Sequence, residues 1–266
     1  MDFVIIPILS AAVAALTLVS GFGLGTLLLP AFAIFFPIEI AIAATAVVHF
    51  VNNVFRVTLV GKWADWDVVL RFGIAATVAA FAGAALMTVM AGAAPLLTYQ
   101  LGPLVAQVTW LKLVIAVLLA LFAALELWPR YQQMSFPRKA LPIGGLLSGF
   151  FGGVSGMQGA LRAPFLLRVG LESKQYVATA NVISTTVDVA RLIAYAIGFT
   201  WLVKKHNYQA LSEQRTIWLV AAACLAGFLG SYLGARLLKK VTLRTIRILV
   251  AMLLFVSALA LGAGVI

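Results

Sequence analysis

Long runs of apolar residues, separated by short polar connectors, extend along almost the whole chain. Eight such segments are predicted as membrane helices, each with the roughly 20 apolar residues that a crossing needs. Their bounds are roughly 3–36, 38–60, 67–91, 104–128, 140–170, 173–200, 215–238 and 242–264. The first and fifth segments are overlong and rich in glycine, so each is expected to break into two short helices.

These two breaks are the first candidates for a binding site. A helix at membrane depth can break only where protein or a water-filled cavity satisfies the freed backbone groups. The alternative interpretation is a tight helical hairpin held together by close glycine packing. The second short helix of each broken segment then either spans the membrane or re-enters it without crossing.

An internal duplication relates the two halves of the chain. Gly25 and Pro30 recur as Gly159 and Pro164, and the Ala-Thr-Ala tripeptide at 44–46 recurs at 178–180 with the same offset. The repeats are predicted to be residues 1–132 and 133–266. Duplicated halves with matching broken helices are typical of secondary transporters, whose substrate site lies at the repeat interface near the membrane midplane.

The basic connectors distinguish two topologies. Those around Lys62, Arg130 and Lys240 are basic, and basic connectors tend to face the cytoplasm. Eight plain crossings would place the first and last of them on opposite faces. Ten crossings, two for each broken segment, place all three on the cytoplasmic face and make the halves inverted repeats. We favour ten crossings, although the basic residues around Lys204 would then lie outside.

Composition limits the class of protein. The chain is 64% hydrophobic and 10% charged, whereas soluble domains are about 45–50% apolar and about 25% charged. An all-α integral membrane protein surrounded by the lipid bilayer is therefore predicted. The net charge of +11 falls near segment ends and is attributed to lipid headgroups and orientation, not to nucleic acid. The sequence has no nucleotide-binding loop, metal-ligand cluster or nucleophile–base pair, so we expect no ATP-driven pump, no enzyme, no metal and no cofactor.

Two segments carry polar residues spaced three or four apart, which places them on one helix face. The first stripe consists of His49, Asn52, Asn53 and Arg56, and the second of Asn181, Ser184, Thr185, Asp188 and Arg191. Because ionisable groups inside a membrane normally face a cavity or a partner, the stripes are predicted to line the substrate pathway. The alternatives are a purely structural ion pair between Asp188 and Arg191, and a snorkelling role for Arg56 at a segment end.

The broken segments add groups that suit an anion. Backbone N–H groups at a helix start and a guanidinium both favour small oxyanions or carboxylates. The candidate substrate-binding residues there are Gly21, Gly23, Gly25 and Thr26 in the first half, and Ser155, Gln158, Gly159 and Arg162 in the second. A membrane-edge position of Arg162 against phosphate headgroups is the alternative.

Proton coupling has two candidate residues. His49 has an unperturbed pKa of about 6.5 and is the one histidine inside a predicted segment, since His206 is assigned to a connector. Asp188 is the other candidate. A neutral, hydrogen-bonding His49 is equally compatible with the sequence.

The chain resembles the TauE/SafE family in three features. Its first segment is rich in glycine and contains Gly25 and Pro30, and the tripeptide 44–46 leads to His49 and Asn52. Both the Gly–Pro spacing and the tripeptide recur in the second half. This resemblance implies a bacterial inner-membrane exporter of sulfite, organosulfonates or related small anions. We expect alternating access without ATP, and homo-oligomers are possible partners. A proton-coupled importer, a channel-like anion conductor, a cation carrier and a non-transporting membrane scaffold subunit stay open.

Overall fold

The computed structural model describes residues 2–20, 24–167, 169–206, 214–237 and 243–266. Helices account for most of these residues. The helices are α1 Asp2–Ser20, α2 Leu24–Ala33, α3 Ile38–Val60, α4 Trp66–Val68, α5 Ile74–Ala91, α6 Trp110–Leu127, α7 Pro129–Gln133, α8 Leu141–Ser155, α9 Gly159–Leu166, α10 Ser173–His206, α11 Gln214–Leu237 and α12 Leu243–Gly262. A π-helical turn, Val69–Gly73, joins α4 to α5 without a gap.

Within this described part, four helical stretches are long and apolar enough to cross a membrane. They are Ile38–Trp63, Trp66–Ala91, Trp110–Leu127 and Ser173–Thr200, with shorter apolar stretches at Val4–Ala15, Ile217–Gly230 and Arg247–Gly262. Large apolar side chains such as Val78, Val117 and Val256 are exposed on these helices. Outward-facing apolar side chains on membrane-length helices fit contact with lipid, which confirms the predicted helical membrane protein.

Two sequence predictions about element bounds are wrong. The segment 104–128 does not begin as a helix, because β1 Leu97–Leu101 and β2 Leu104–Val108 form an antiparallel hairpin and Thr109 caps α6. Short apolar runs of this kind do not distinguish a strand from a helix. The second error concerns His206, which is the last residue of α10 and not part of a connector.

Both overlong segments form two helices. The first gives α1 and α2 on either side of residues 21–23, which lie outside the described residues. The second gives α8 and α9, separated at Gly156 with φ 80°. This left-handed conformation strongly favours glycine and ends α8 abruptly.

After this break, α9 turns back along α8. The Phe165 ring of α9 packs against Gly144 near the start of α8, and Phe136 N–H donates to the Pro164 carbonyl at 3.1 Å. The end of α9 therefore returns to the level at which α8 began. The two helices form a hairpin, the α8–α9 hairpin, whose tip is residues 156–158.

Glycines let α8 approach α5 backbone to backbone. A Cβ on Gly149 would lie 2.0 Å from the Ala76 carbonyl oxygen, and one on Gly153 would lie 2.1 Å from that of Ala80. α1 and α11 pack in the same way, with Gly230 against the Ala11 carbonyl. Small residues on facing helices permit this close approach.

The main helix pairs each join the N-terminal half of the chain to the C-terminal half. α1 packs against α11 and α8 against α5, while α3 packs against α10 and α6 against α12. The central pair, α3 and α10, carries the two polar stripes.

Candidate functional site

α3 and α10 run antiparallel, and this direction brings the two stripes together. His49 in the middle of α3 meets Asp188 in the middle of α10, and Asp65 N–H, just beyond α3, donates to Thr179 Oγ1 near the start of α10 at 2.9 Å. The polar faces therefore meet inside the bundle. No periodicity in either segment alone specifies this contact.

Asp188 is the centre of a buried polar cluster. Its Oδ2 atom lies 2.8 Å from His49 Nδ1 and 2.8 Å from Asn53 Nδ2, and its Oδ1 atom lies 2.8 Å from Arg191 Nη2. Asp188 and Arg191 are fully buried, and His49 and Asn53 are nearly so. Since an ionised carboxylate only accepts hydrogen bonds, the proton of neutral His49 is on Nδ1.

Arg191 also lies against the tip of the α8–α9 hairpin. A Cβ on Gly156 would come within 2.5 Å of Arg191 Nη1, so a side chain here would displace the guanidinium as well as strain the backbone at φ 80°. One turn further along α10, the Tyr195 hydroxyl donates to the Gly153 carbonyl near the end of α8. The helix break and the ionic cluster are therefore one site, built from α3, α8 and α10.

Several buried polar atoms at this site lack a hydrogen-bonding partner among the described residues. They are Nε and Nη1 of Arg191 and both amide atoms of Gln158, whose side chain is 1% exposed. A buried donor or acceptor without a partner is costly, and such groups in a native protein call for a ligand, an ion or a water molecule. Gln158 packs through its Cβ beside Gly152, which also neighbours Val187, so the amide lies in the same region as the cluster.

A second guanidinium lies along the same helix. Arg162 of α9 donates through Nη1 to the Ala180 carbonyl at 3.0 Å and to Ser184 Oγ. Ser184 is one turn before Asp188 on α10. Arg162 therefore contacts the bundle interior. Its guanidinium and that of Arg191 lie at successive levels along α10.

The hairpin tip is held in place by contacts from two directions. Ser148 Oγ donates to the Gln158 carbonyl at 2.9 Å, and Tyr131 OH donates to the Ala160 carbonyl at 3.1 Å. Burial beside Glu126 raises the pKa of Tyr131, so its phenol stays protonated and remains a donor. The backbone of the break is thus fixed before any ligand arrives.

The remaining predicted site residues lie less close to this cluster. Asn52 donates to the Val48 carbonyl and contacts Gly227 of α11, and Asn181, Thr185 and Ser155 bond to carbonyls of their own helices. Gly159 is the first residue of α9, Gly25 and Thr26 are in the first turn of α2, and Gly21 and Gly23 lie outside the described residues.

Three residues belong to the site although the predicted set omits them. Tyr195 extends the second stripe by one turn, and Gly156 is a glycine at the break, so both carry a signal in the sequence. Ser148 carries none, because a serine inside an apolar helix has the same appearance whether or not it anchors a distant loop.

A bundle of membrane-length helices with a charged cluster at a broken helix defines an integral membrane protein with a buried polar site. The family model described as sulfite exporter TauE/SafE matches residues 6–261. The chain therefore belongs to the TauE/SafE sulfite exporter family, which is a family of membrane transporters and not of enzymes. No curated protein and no solved structure matches it.

Proposed function

We propose that this protein is a secondary transporter that moves small sulfur-containing or organic anions, such as sulfite and sulfonates, by alternating access. The observation that carries the proposal is Arg191, a fully buried guanidinium that lies against a helix break and has only Asp188 and the Tyr195 hydroxyl beside it among the described polar side chains. Membership of a transporter family supports the same conclusion. The family resemblance supports a bacterial inner-membrane location.

The anion is proposed to bind between Arg191 and the hairpin tip. The Arg191 Nη1 atom, which faces the tip, is a charge-assisted hydrogen-bond donor to one oxygen of a sulfonate or sulfite. The Gln158 amide and the N–H groups at the start of α9 supply further donors. Arg162, and the residues of the first broken segment, would contact the anion as it enters or leaves.

Two inverted repeats are proposed, each with one re-entrant hairpin and three full crossings. A helix rises about 1.5 Å per residue, so the eight residues of α9 and the 10 of α2 reach at most about half of the ~30 Å hydrocarbon layer. This disfavours ten crossings and favours re-entry. The basic connectors around Lys62, Lys139 and Lys240 still share the cytoplasmic face, as the positive-inside rule requires. The reciprocal pairs α1 with α11 and α8 with α5 support the duplication.

Cysteine labelling tests whether the α8–α9 hairpin begins and ends on the cytoplasmic face. In a Cys224→Ala background, Lys139→Cys and Glu172→Cys are expected to react with a membrane-impermeant maleimide only after the cells are lysed. Gln100→Cys, on the β-hairpin, is expected to react from outside. All three side chains are exposed. If residues 140–170 instead cross the membrane once, Lys139→Cys and Glu172→Cys will label from opposite faces.

Counterflow in proteoliposomes tests the transport function itself. Vesicles loaded with unlabelled sulfite and diluted into a trace of labelled sulfite are expected to accumulate the label transiently above its equilibrium level. Only a carrier that exchanges one bound anion for another does this. Flux that rises linearly with concentration would support the channel-like alternative, and absence of flux would support a scaffold subunit.

The direction of transport depends on whether protons move with the anion. An inside-negative potential drives an uncoupled anion outward with about 2.3 kcal/mol per charge per 100 mV, which favours export. A proton-coupled importer is the second candidate, and the contact between His49 and Asp188 is the observation that favours proton involvement.

A further inference from the structure

We infer that Asp188 is an internal competitor of the transported anion for Arg191, so that each anion bound places one proton on the His49–Asp188 pair. This inference rests on the proposed anion site and adds its regulation. Asp188 neutralises Arg191 when no anion is bound, and the transported anion does so when it occupies the site.

In the structure, the only carboxylate among the described neighbours of Arg191 is that of Asp188, at 2.8 Å. The Nη1 atom of the guanidinium faces the hairpin tip, where an oxyanion would bind. Filling that position places two anions on one buried guanidinium. Like charges at such a separation repel strongly in a buried site of low dielectric, so binding is favoured when Asp188 is protonated and therefore neutral.

The groups that face Asp188 allow it to gain a proton without losing its contacts. α3 presents His49, whose own charged neighbours include Arg56, while α9 presents Arg162 and α10 presents Arg191 and Tyr195. α5 and α8 contain no titratable side chain. His49 is therefore the one neighbour of Asp188 among the described residues that can pass on a proton near neutral pH.

The transfer balances within the pair. His49 accepts a proton at Nε2 and passes the proton on Nδ1 to Asp188 Oδ2 across the 2.8 Å contact. The same hydrogen bond then runs in the opposite direction, from the carboxylic acid to Nδ1. Whether the proton rests on the histidine or on the acid, the pair has gained one positive charge.

This coupling sets the charge that crosses the membrane. One proton travelling with a monoanion makes the step electroneutral, so a pH gradient and not the membrane potential would drive it. A dianion such as fully ionised sulfite would still carry one net negative charge, and its export would remain assisted by the potential.

Methanesulfonate is the probe for this inference, because it is the anion of a strong acid and does not itself titrate. When it binds to the purified protein in weakly buffered detergent solution, about one proton per anion is expected to be taken up from the medium. Because binding then takes up one proton, the affinity for methanesulfonate should fall about tenfold for each unit rise in pH. This slope applies at pH values at which the His49–Asp188 pair of the empty protein has not yet gained that proton.

Two variants identify the group. Asp188→Asn is expected to bind methanesulfonate more tightly than the wild type, with no proton uptake and no dependence on pH. Asp67→Asn is the matched control, since Asp67 pairs with Arg71 at the exposed end of a helix, and it should behave as the wild type.

The outcomes separate this inference from the proposed function. Methanesulfonate binding without proton uptake in the wild type, or with unchanged uptake in Asp188→Asn, overturns the coupling and leaves the anion site standing. Absence of methanesulfonate binding to the wild type overturns both. If Asp188→Asn does not fold, the proton count and pH slope of the wild type decide the coupling.

Discussion

Replacing Arg191 by Gln is expected to lower the kcat/KM of sulfite counterflow by about a hundredfold or more. The guanidinium is the one fully buried cation at the hairpin tip within the described structure. Hydrogen bonds to a charged group contribute about 1.5–3 kcal/mol each, and each 1.4 kcal/mol corresponds to a factor of ten. Counterflow rates in proteoliposomes, normalised to the amount of inserted protein, provide the measurement.

Arg71→Gln is the matched control for this prediction. Arg71 pairs with Asp67 one turn away, and its side chain is 57% exposed, so an exposed pair of this kind contributes little. This variant should transport as the wild type does. Arg191→Lys keeps the charge but loses the planar fork, and about a tenfold loss is expected. Wild-type counterflow by Arg191→Gln would refute the role of this residue.

Gly149→Ala is expected to destabilise the folded protein by about 3 kcal/mol or more. The added Cβ would lie 2.0 Å from the carbonyl oxygen of Ala76 and 2.6 Å from its Cα. Backbone atoms cannot move aside as a side chain can, so α5 and α8 must separate. Because α8 leads into the hairpin tip, transport should fall together with stability. Thermal unfolding of the purified variant in detergent measures the loss of stability.

Gly73→Ala distinguishes steric overlap from a general effect of removing glycine. Gly73 is also helical, and its nearest neighbour beyond the local backbone, the Ile183 side chain, would be at an ordinary distance of 3.5 Å from the new Cβ. Alanine is about 1 kcal/mol better than glycine inside a helix, so this variant should be at least as stable as the wild type. Equal stability of the two variants would contradict the close packing described here.

Much of the site follows from local patterns in the sequence. The spacing of His49, Asn53, Asp188 and Arg191 places each pair on one helix face, and the i and i+3 spacing of Asp188 and Arg191 permits their ion pair. Gly156, two residues before Gln158, indicates the helix break in the second half. These features depend on neighbours in the chain, which is why a single sequence reveals them.

Other features depend on contacts between distant segments and could not be predicted. The meeting of His49 with Asp188 requires that α3 and α10 be antiparallel and in one particular register. The return of α9 along α8 depends on Phe165 reaching Gly144. The strands at 97–108 were missed because five-residue stretches of mixed polarity, such as these, do not distinguish a strand from a connector or a helix start.

The two halves of the chain differ where the proposed site is richest. The second half has Gln158 and Arg162 at the positions where the first half has Leu24 and Leu28. A duplicated protein can keep its packing in both repeats and place the binding groups in one of them. The described contacts of the second hairpin agree with such a division, since its tip meets Arg191 directly.

Crystals of the protein grown with 2-bromoethanesulfonate offer the most direct measurement, because anomalous scattering locates the bromine atom without ambiguity. The account predicts a bromine peak beside the 156–158 turn, with the sulfonate oxygens within hydrogen-bonding distance of the Arg191 guanidinium. A sulfonate bound elsewhere, or a lipid chain filling the space against Arg191 and Gln158, would contradict it.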